Sequence, residues 1–247
     1  MKISRLTAAL AACVIAVGCV SCEKKDNADS IPPIGESGVS DLVIPSEDSE
    51  EHGLGEYRYS EKGTKLYYGD ETITNEILLF LEDYFLNLQN KNFEGYKNSI
   101  YPDYAERYDK YLREEYSKTL ESGEEYSLSD SFEKQRANIS DKLIDTLLYE
   151  STEDKDFTGE FKITRIRAER PIIEDGTTEE ELVNSYFEYL NNVFDTDYQK
   201  LVEDDTEAIE PLTIFVMADA EDGEEHMVLS EMNIVLVKKD GKYYTLG

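Results

Sequence analysis

Apolar residues recur along this chain at two different spacings, and the change from one to the other falls near residue 157. Ile73, Ile77, Leu78, Leu81, Phe85 and Leu88 lie on one face of a helix that starts at Thr72 or Thr74. Leu79, Phe80 and Leu86 widen the stripe so far that this helix is expected to be largely enclosed. Asn90-Lys91-Asn92 breaks it, and a short helix over residues 93–100 ends before Pro102. A third helix is predicted over 103–120, carrying Tyr104, Tyr108, Tyr111, Leu112 and Tyr116. A polar loop at Ser122-Gly123 separates it from a fourth over 129–150, lined by Phe132, Ile139, Leu143, Leu147 and Leu148.

Alternation at period two marks the strands. Residues 56–68 read as a hairpin of tyrosine-rich strands around Glu61-Lys62-Gly63-Thr64. In the stretch 157–173, Phe161 and Ile163 share one parity and Ile166 and Ala168 the other. This predicts a bulge near Thr164-Arg165, and Pro171 places the far end at a sheet edge. Thr177 or Thr178 with Glu180 and Glu181 is a capping box for a helix through Leu182, Tyr186, Tyr189, Leu190, Val193 and Phe194, continuing as far as Val202. The last forty residues read as a meander: a strand over 212–218, an acidic turn over 219–225, a strand over 227–237, and a tight Asp240-Gly241 turn into a strand over 243–246. Helices first and strands mostly afterwards predict an α+β fold, with a curved antiparallel sheet packed on an N-terminal group of helices.

The first residues belong to neither pattern. Lys2 and Arg5 precede an uncharged apolar run, 6–17, which Gly18 and Cys19 close. A basic flank, a short apolar core and a small residue at the cut form a secretory signal, and the core is shorter than the ~20 apolar residues of a membrane span. Ala16-Val17-Gly18-Cys19 resembles the lipobox of bacterial lipoprotein precursors. The resemblance implies cleavage between Gly18 and Cys19 and acylation of Cys19, with Cys22 the alternative acceptor. It implies a protein held at the extracytoplasmic face of a bacterial membrane, with membrane lipid as its first partner. Two or three acyl chains make a stable anchor, since each buried methylene contributes ~0.8 kcal/mol. Residues 19–55 follow as a lipidated tether. They hold Pro32, Pro33, Pro45 and the acidic run Glu47-Asp48-Ser49-Glu50-Glu51, and are expected to be disordered, with 39–44 as an alternative short docking strand. Residues 56–247 are expected to form one globular domain.

From Glu71 onward the element order resembles the nuclear transport factor 2-like (cystatin-like) superfamily. So do Phe80-Leu81-Glu82-Asp83-Tyr84-Phe85, Asn92-Phe93-Glu94-Gly95-Tyr96 and the closing Asp240-Gly241-Lys242-Tyr243-Tyr244. This resemblance implies a curved sheet wrapped on helices around a cone-shaped pocket. Such a pocket would take a small molecule, a cell-wall fragment or a protein partner. In some members of the superfamily it serves a dehydratase or isomerase.

Charge narrows the function classes. The chain has 25 basic and 55 acidic residues, for a formal charge of −30. Removing residues 1–18 takes away Lys2 and Arg5 and no acid, so −30 becomes −32. That excludes a nucleic-acid partner, which needs a basic footprint. Cys13, Cys19 and Cys22 are the only cysteines, so the body has no disulfide and no thiolate metal site. His52 and His226 are the only histidines and neither sits in a nucleophile motif; no phosphate loop or dinucleotide fingerprint occurs. No cofactor is called for and no catalytic residue is assigned. Asp195 and Asp197, and Asp222 and Glu224, are weak calcium candidates in a chain where acidic clusters arise from composition alone. Lys162, Arg165, Arg167 and Arg170 form a candidate anion-binding stripe, against which stands pairing with acids on neighbouring strands. The tyrosines at 104, 108, 111 and 116 read as packing residues before they read as a stacking platform. The expectation is therefore a lipid-anchored extracytoplasmic protein with a non-catalytic ligand- or partner-binding domain. The alternatives are an enzyme using the pocket and a calcium-dependent envelope component.

Overall fold

A computed structural model describes residues 31–116, 118, 125–150, 157–171 and 178–247. Gly18, Cys19 and Cys22 lie outside the described residues, as do the Ser122-Gly123 loop and residues 172–177. Residues 31–247 form one compact unit.

The fold is α+β. Among the described residues, six helices accompany one six-stranded sheet whose strands lie in sequence order. Strands β1 (Tyr57–Tyr59) and β2 (Lys65–Tyr68) form the predicted hairpin. Helices α1 (Asn75–Gln89), α2 (Phe93–Asn98), α3 (Pro102–Tyr111) and α4 (Leu128–Glu150) follow, and β3 (Lys162–Glu169) returns beside β2. Helices α5 (Glu179–Phe194) and α6 (Tyr198–Asp205) precede the meander β4 (Ala208–Asp219), β5 (Glu225–Lys239) and β6 (Lys242–Thr245). One expectation is corrected: β2 and β3 pair in parallel, so the sheet is mixed. Four helices lie between them, which is the long crossover a parallel pair requires.

Local chemistry explains the element ends. Thr74 caps α1, its side chain accepting from the Ile77 amide. Ile77, Leu78, Leu81, Phe85 and Leu88 are all buried, as the spacing predicts. Thr178 and Glu181 form the reciprocal capping box of α5. Asp195 in the left-handed conformation ends α5, so α6 is a separate helix. Asp240 and Gly241 both take positive φ, which the two-residue turn between β5 and β6 requires.

The predicted bulge is present between Ile163 and Arg165, where the register of β3 against β4 shifts. The shift re-phases the strand, so Ile163, Ile166 and Ala168 are all buried despite their mixed parity. Two further shifts between β4 and β5, at Ile214/Val216 and Val216/Met217, add to the curl of the sheet. Pro171 does not mark an edge: β3 lies between β2 and β4, and the strand has ended before the proline.

Both outer strands are covered along part of their length. Thr245 of β6 donates its amide to Ser99 O and accepts from the Tyr101 amide, each at 2.9 Å. On the other side, Ser40 N–H donates to Tyr59 O and Val43 N–H to Tyr57 O, both at 2.8 Å. The tether is therefore ordered from Ile31 onward, and the compact unit begins there rather than at Glu56. Its apolar residues are too sparse to build a core, but they dock on one that already exists. Val39 enters the main core at 2% exposure, and Ile34, Val43 and Leu54 pack on Tyr57, Tyr59 and Tyr67. The alternative reading of 39–44 as a docking segment describes the geometry.

Candidate functional site

The inner face of the sheet is filled. Leu66, Ile166, Ala168, Leu212 and Ile214 are fully buried, packed with α1 in one continuous core. A large cavity lies elsewhere, on the helical side. It is an open groove of about 1110 Å³ bounded by α1, α2, α3, the start of α4 and β6. Phe80, Phe93, Tyr243 and Tyr244 give it aromatic walls. Tyr243 and Phe80 hold each other across the floor, ring centroids 6.4 Å apart.

Its charges divide into held and free. Lys62 pairs with Asp83. Burial works against the charge of Asp109, but hydrogen bonds from Arg113 Nε (2.8 Å) and the Leu128 amide (2.9 Å) outweigh it and hold the carboxyl below its usual range. Lys97, Lys242 and Glu106 also line the groove and enter no ion pair among the described residues.

The β6 backbone adds a further feature. Leu246 N–H points inward to Val235 O, whereas Thr245 uses its main-chain groups outward, toward Ser99 and Tyr101. With a period of two, Tyr243 directs its N–H and C=O outward as well. Among the described residues no backbone hydrogen bond from a loop or cap uses them. The groove thus borders a short open strand edge.

The carboxylate buried most deeply among the described residues is not in this groove. Glu82 on α1 is 1% exposed and accepts from Ser60 Oγ, which in turn accepts from the Lys62 and Thr64 amides. This joins α1 to the β1–β2 turn. His52 is on the surface, its Nδ1 3.4 Å from Pro45 O, and His226 Nε2 is 3.0 Å from Asp222 Oδ2. Neither histidine lines the groove.

The sequence-derived candidates disperse. Arg165 lies between Glu225 (2.7 Å) and Glu51 (3.2 Å). Arg167 binds Glu169 (2.7 Å) and the Leu54 carbonyl (3.1 Å), and Arg170 binds Glu210 (2.6 Å) and Thr72 Oγ1 (2.9 Å). Lys162 stands apart, exposed and in register with Asp219. Each arginine is thus claimed by a neighbouring carboxylate. Asp197 caps α6 through the Lys200 amide, and Asp222 accepts from the Glu224 amide. Among the described residues no three acidic, histidine or cysteine side chains converge as a metal site. Tyr104, Tyr108 and Tyr111 stack along α3 at 5.2 and 6.1 Å. Tyr104 is buried against Phe194, and Tyr116 packs on Tyr126 at 4.9 Å.

Sequence reasoning missed the groove because its lining comes from five elements, none of which marks a cavity by itself. The one available signal was Phe80, an aromatic at the margin of the α1 stripe. No family model matches this chain, and no curated protein and no solved structure matches it. The likeness to the nuclear transport factor 2-like superfamily rests on element order and on the segments 80–85, 92–96 and 240–244 of the sequence. No helix among the described residues is long and apolar enough to cross a membrane.

Proposed function

We propose that this chain is a lipid-anchored protein of the bacterial cell envelope that binds an extended polar segment of a partner in the helix-side groove. The observation that carries the binding role is the groove itself: about 1110 Å³, open to solvent, and bordered by the free edge at Tyr243. Small-molecule sites are concave and enclose most of their ligand. An open channel with a strand edge suits an extended chain, which adds main-chain hydrogen bonds along the edge and side chains into the groove. The aromatic walls and the free Lys97 and Lys242 supply contact area and charge within a strongly acidic molecule. The anchor is supported by the uncharged run 6–17 and by Gly18-Cys19, with Cys22 as the second acceptor.

Two measurements test this. Mass spectrometry of the membrane-extracted protein is expected to find an N-terminal acylated Cys19; a free Met1 without lipid would remove the anchor. A photo-reactive residue at Asn98, inside the groove, is expected to cross-link a discrete partner in intact cells, and one at Lys200, on α6, is not. Equal labelling from both sites would remove the binding role.

A further inference from the structure

A second recess lies on the outer face of the sheet, away from the groove. Its volume is about 240 Å³. Leu54, Phe215, Met217 and Met227 form its walls together with the stems of Arg165 and Arg167. Tyr67 of β2 also lines it and is 1% exposed. The Tyr67 hydroxyl is buried and has no hydrogen-bond partner. Buried polar groups in folded proteins are nearly always satisfied, so a lone hydroxyl beside a cavity points to something that completes it.

The neighbouring charges define what that something is. Both arginines are already compensated, Arg165 by Glu225 and Glu51 and Arg167 by Glu169. An anion would have to displace those carboxylates, and a cation would meet the two guanidinium groups. Glu169 also lines the recess but is held by Arg167 at 2.7 Å; the rest of the surface is apolar, and two methionines let it adapt in shape. An apolar cavity of about 150 Å³ holds a benzene ring, so this recess has room for a ring with a few further atoms. We propose that it is a binding site for a small neutral molecule, mostly apolar, with one hydroxyl or carbonyl group that pairs with Tyr67. The site is independent of the groove and of any partner held there.

The test uses the full-length chain labelled with 13C at the methionine methyls, with 4-methylphenol, toluene and 4-methylbenzoate as probes. Met217 and Met227 line the recess, and Met232 packs against the main core. 4-Methylphenol is expected to shift the Met217 and Met227 signals, leave Met232 in place, and bind at least about fivefold tighter than toluene, the worth of one net hydrogen bond. Tyr67→Phe removes a hydroxyl that bonds to nothing, so the variant is expected to fold normally and to bind the two probes equally. Met217→Trp fills the recess and is expected to abolish both. Equal affinity for 4-methylphenol and toluene in the unaltered chain would overturn the proposal. So would tightest binding by 4-methylbenzoate, which would make this an anion site, or the absence of any shift at Met217 and Met227.

Discussion

Replacing Val39 by alanine tests whether the segment before the first strand belongs to the folded body. Val39 is 2% exposed and lies in the main core, and its neighbours Ser40 and Val43 hydrogen-bond to β1. The substitution removes two methyl-sized groups from a buried site. At ~0.8 kcal/mol each this is about 1.6 kcal/mol, and the cavity left behind raises the loss to roughly 2 kcal/mol. In a domain of this size 1 kcal/mol moves Tm by about 2–4 °C, so a fall of about 4–8 °C is expected by calorimetry. A disordered tether would give no change beyond the ~0.5 kcal/mol of an ordinary surface substitution. Val39→Asp goes further: an unpaired carboxylate is not tolerated in the core, so the segment leaves the sheet. Limited digestion with a glutamate-specific protease should then cut at Glu36, in the exposed turn that Val39 pins down, faster in the variant than in the parent. A Tm unchanged by Val39→Ala, together with equally fast cleavage of parent and Val39→Asp at Glu36, would refute the docking.

Three further outcomes follow from the same geometry. Ser60→Ala removes the donor to buried Glu82 and the acceptor of two turn amides; it should cost about 2–3 kcal/mol in urea unfolding, and a loss under ~0.5 kcal/mol would show that Glu82 is not held there. Thr178→Ala dismantles the capping box of α5 and should cost about 1 kcal/mol, with Thr178→Ser restoring most of it. Asp70 and Asp109 both titrate below the usual carboxylate range: burial opposes their charge, but hydrogen bonds prevail, from Thr72 and the Arg170 amide in one case and from Arg113 and the Leu128 amide in the other. A folded-state pKa below the unfolded ~3.9 gives stability that is present at neutral pH and lost as pH falls through the depressed value. Asp70→Asn and Asp109→Asn should therefore each flatten the acid limb of the urea midpoint against pH below about pH 4, and an unchanged limb would contradict the assignment.

The local features were readable because their causes are local. Ile73 through Leu88 specify α1 by spacing, Thr74 by its cap, and Thr178 with Glu181 by a reciprocal bond within one turn. The parity switch between Ile163 and Ile166 revealed a bulge, since a strand can keep both on one face only by inserting a residue. Asp240-Gly241 fixed a hairpin because few other pairs accept two positive φ values.

What the chain order by itself determined is most of the elements and their kinds, the α+β class and a body without cysteine, all set by periodicities and contacts a few residues apart. Only the tertiary structure decided that β2 and β3 run parallel, that residues 31–55 fold against tyrosines downstream of them, and that Arg165 answers to Glu51 and Glu225 rather than to a ligand. It also decided that Tyr67 is left with an unmet hydroxyl beside a recess and that five unremarkable elements enclose a groove. These depend on which distant segments meet. An apolar or charged residue carries its own need for a partner in the sequence, but the identity of that partner exists only once the chain has closed upon itself.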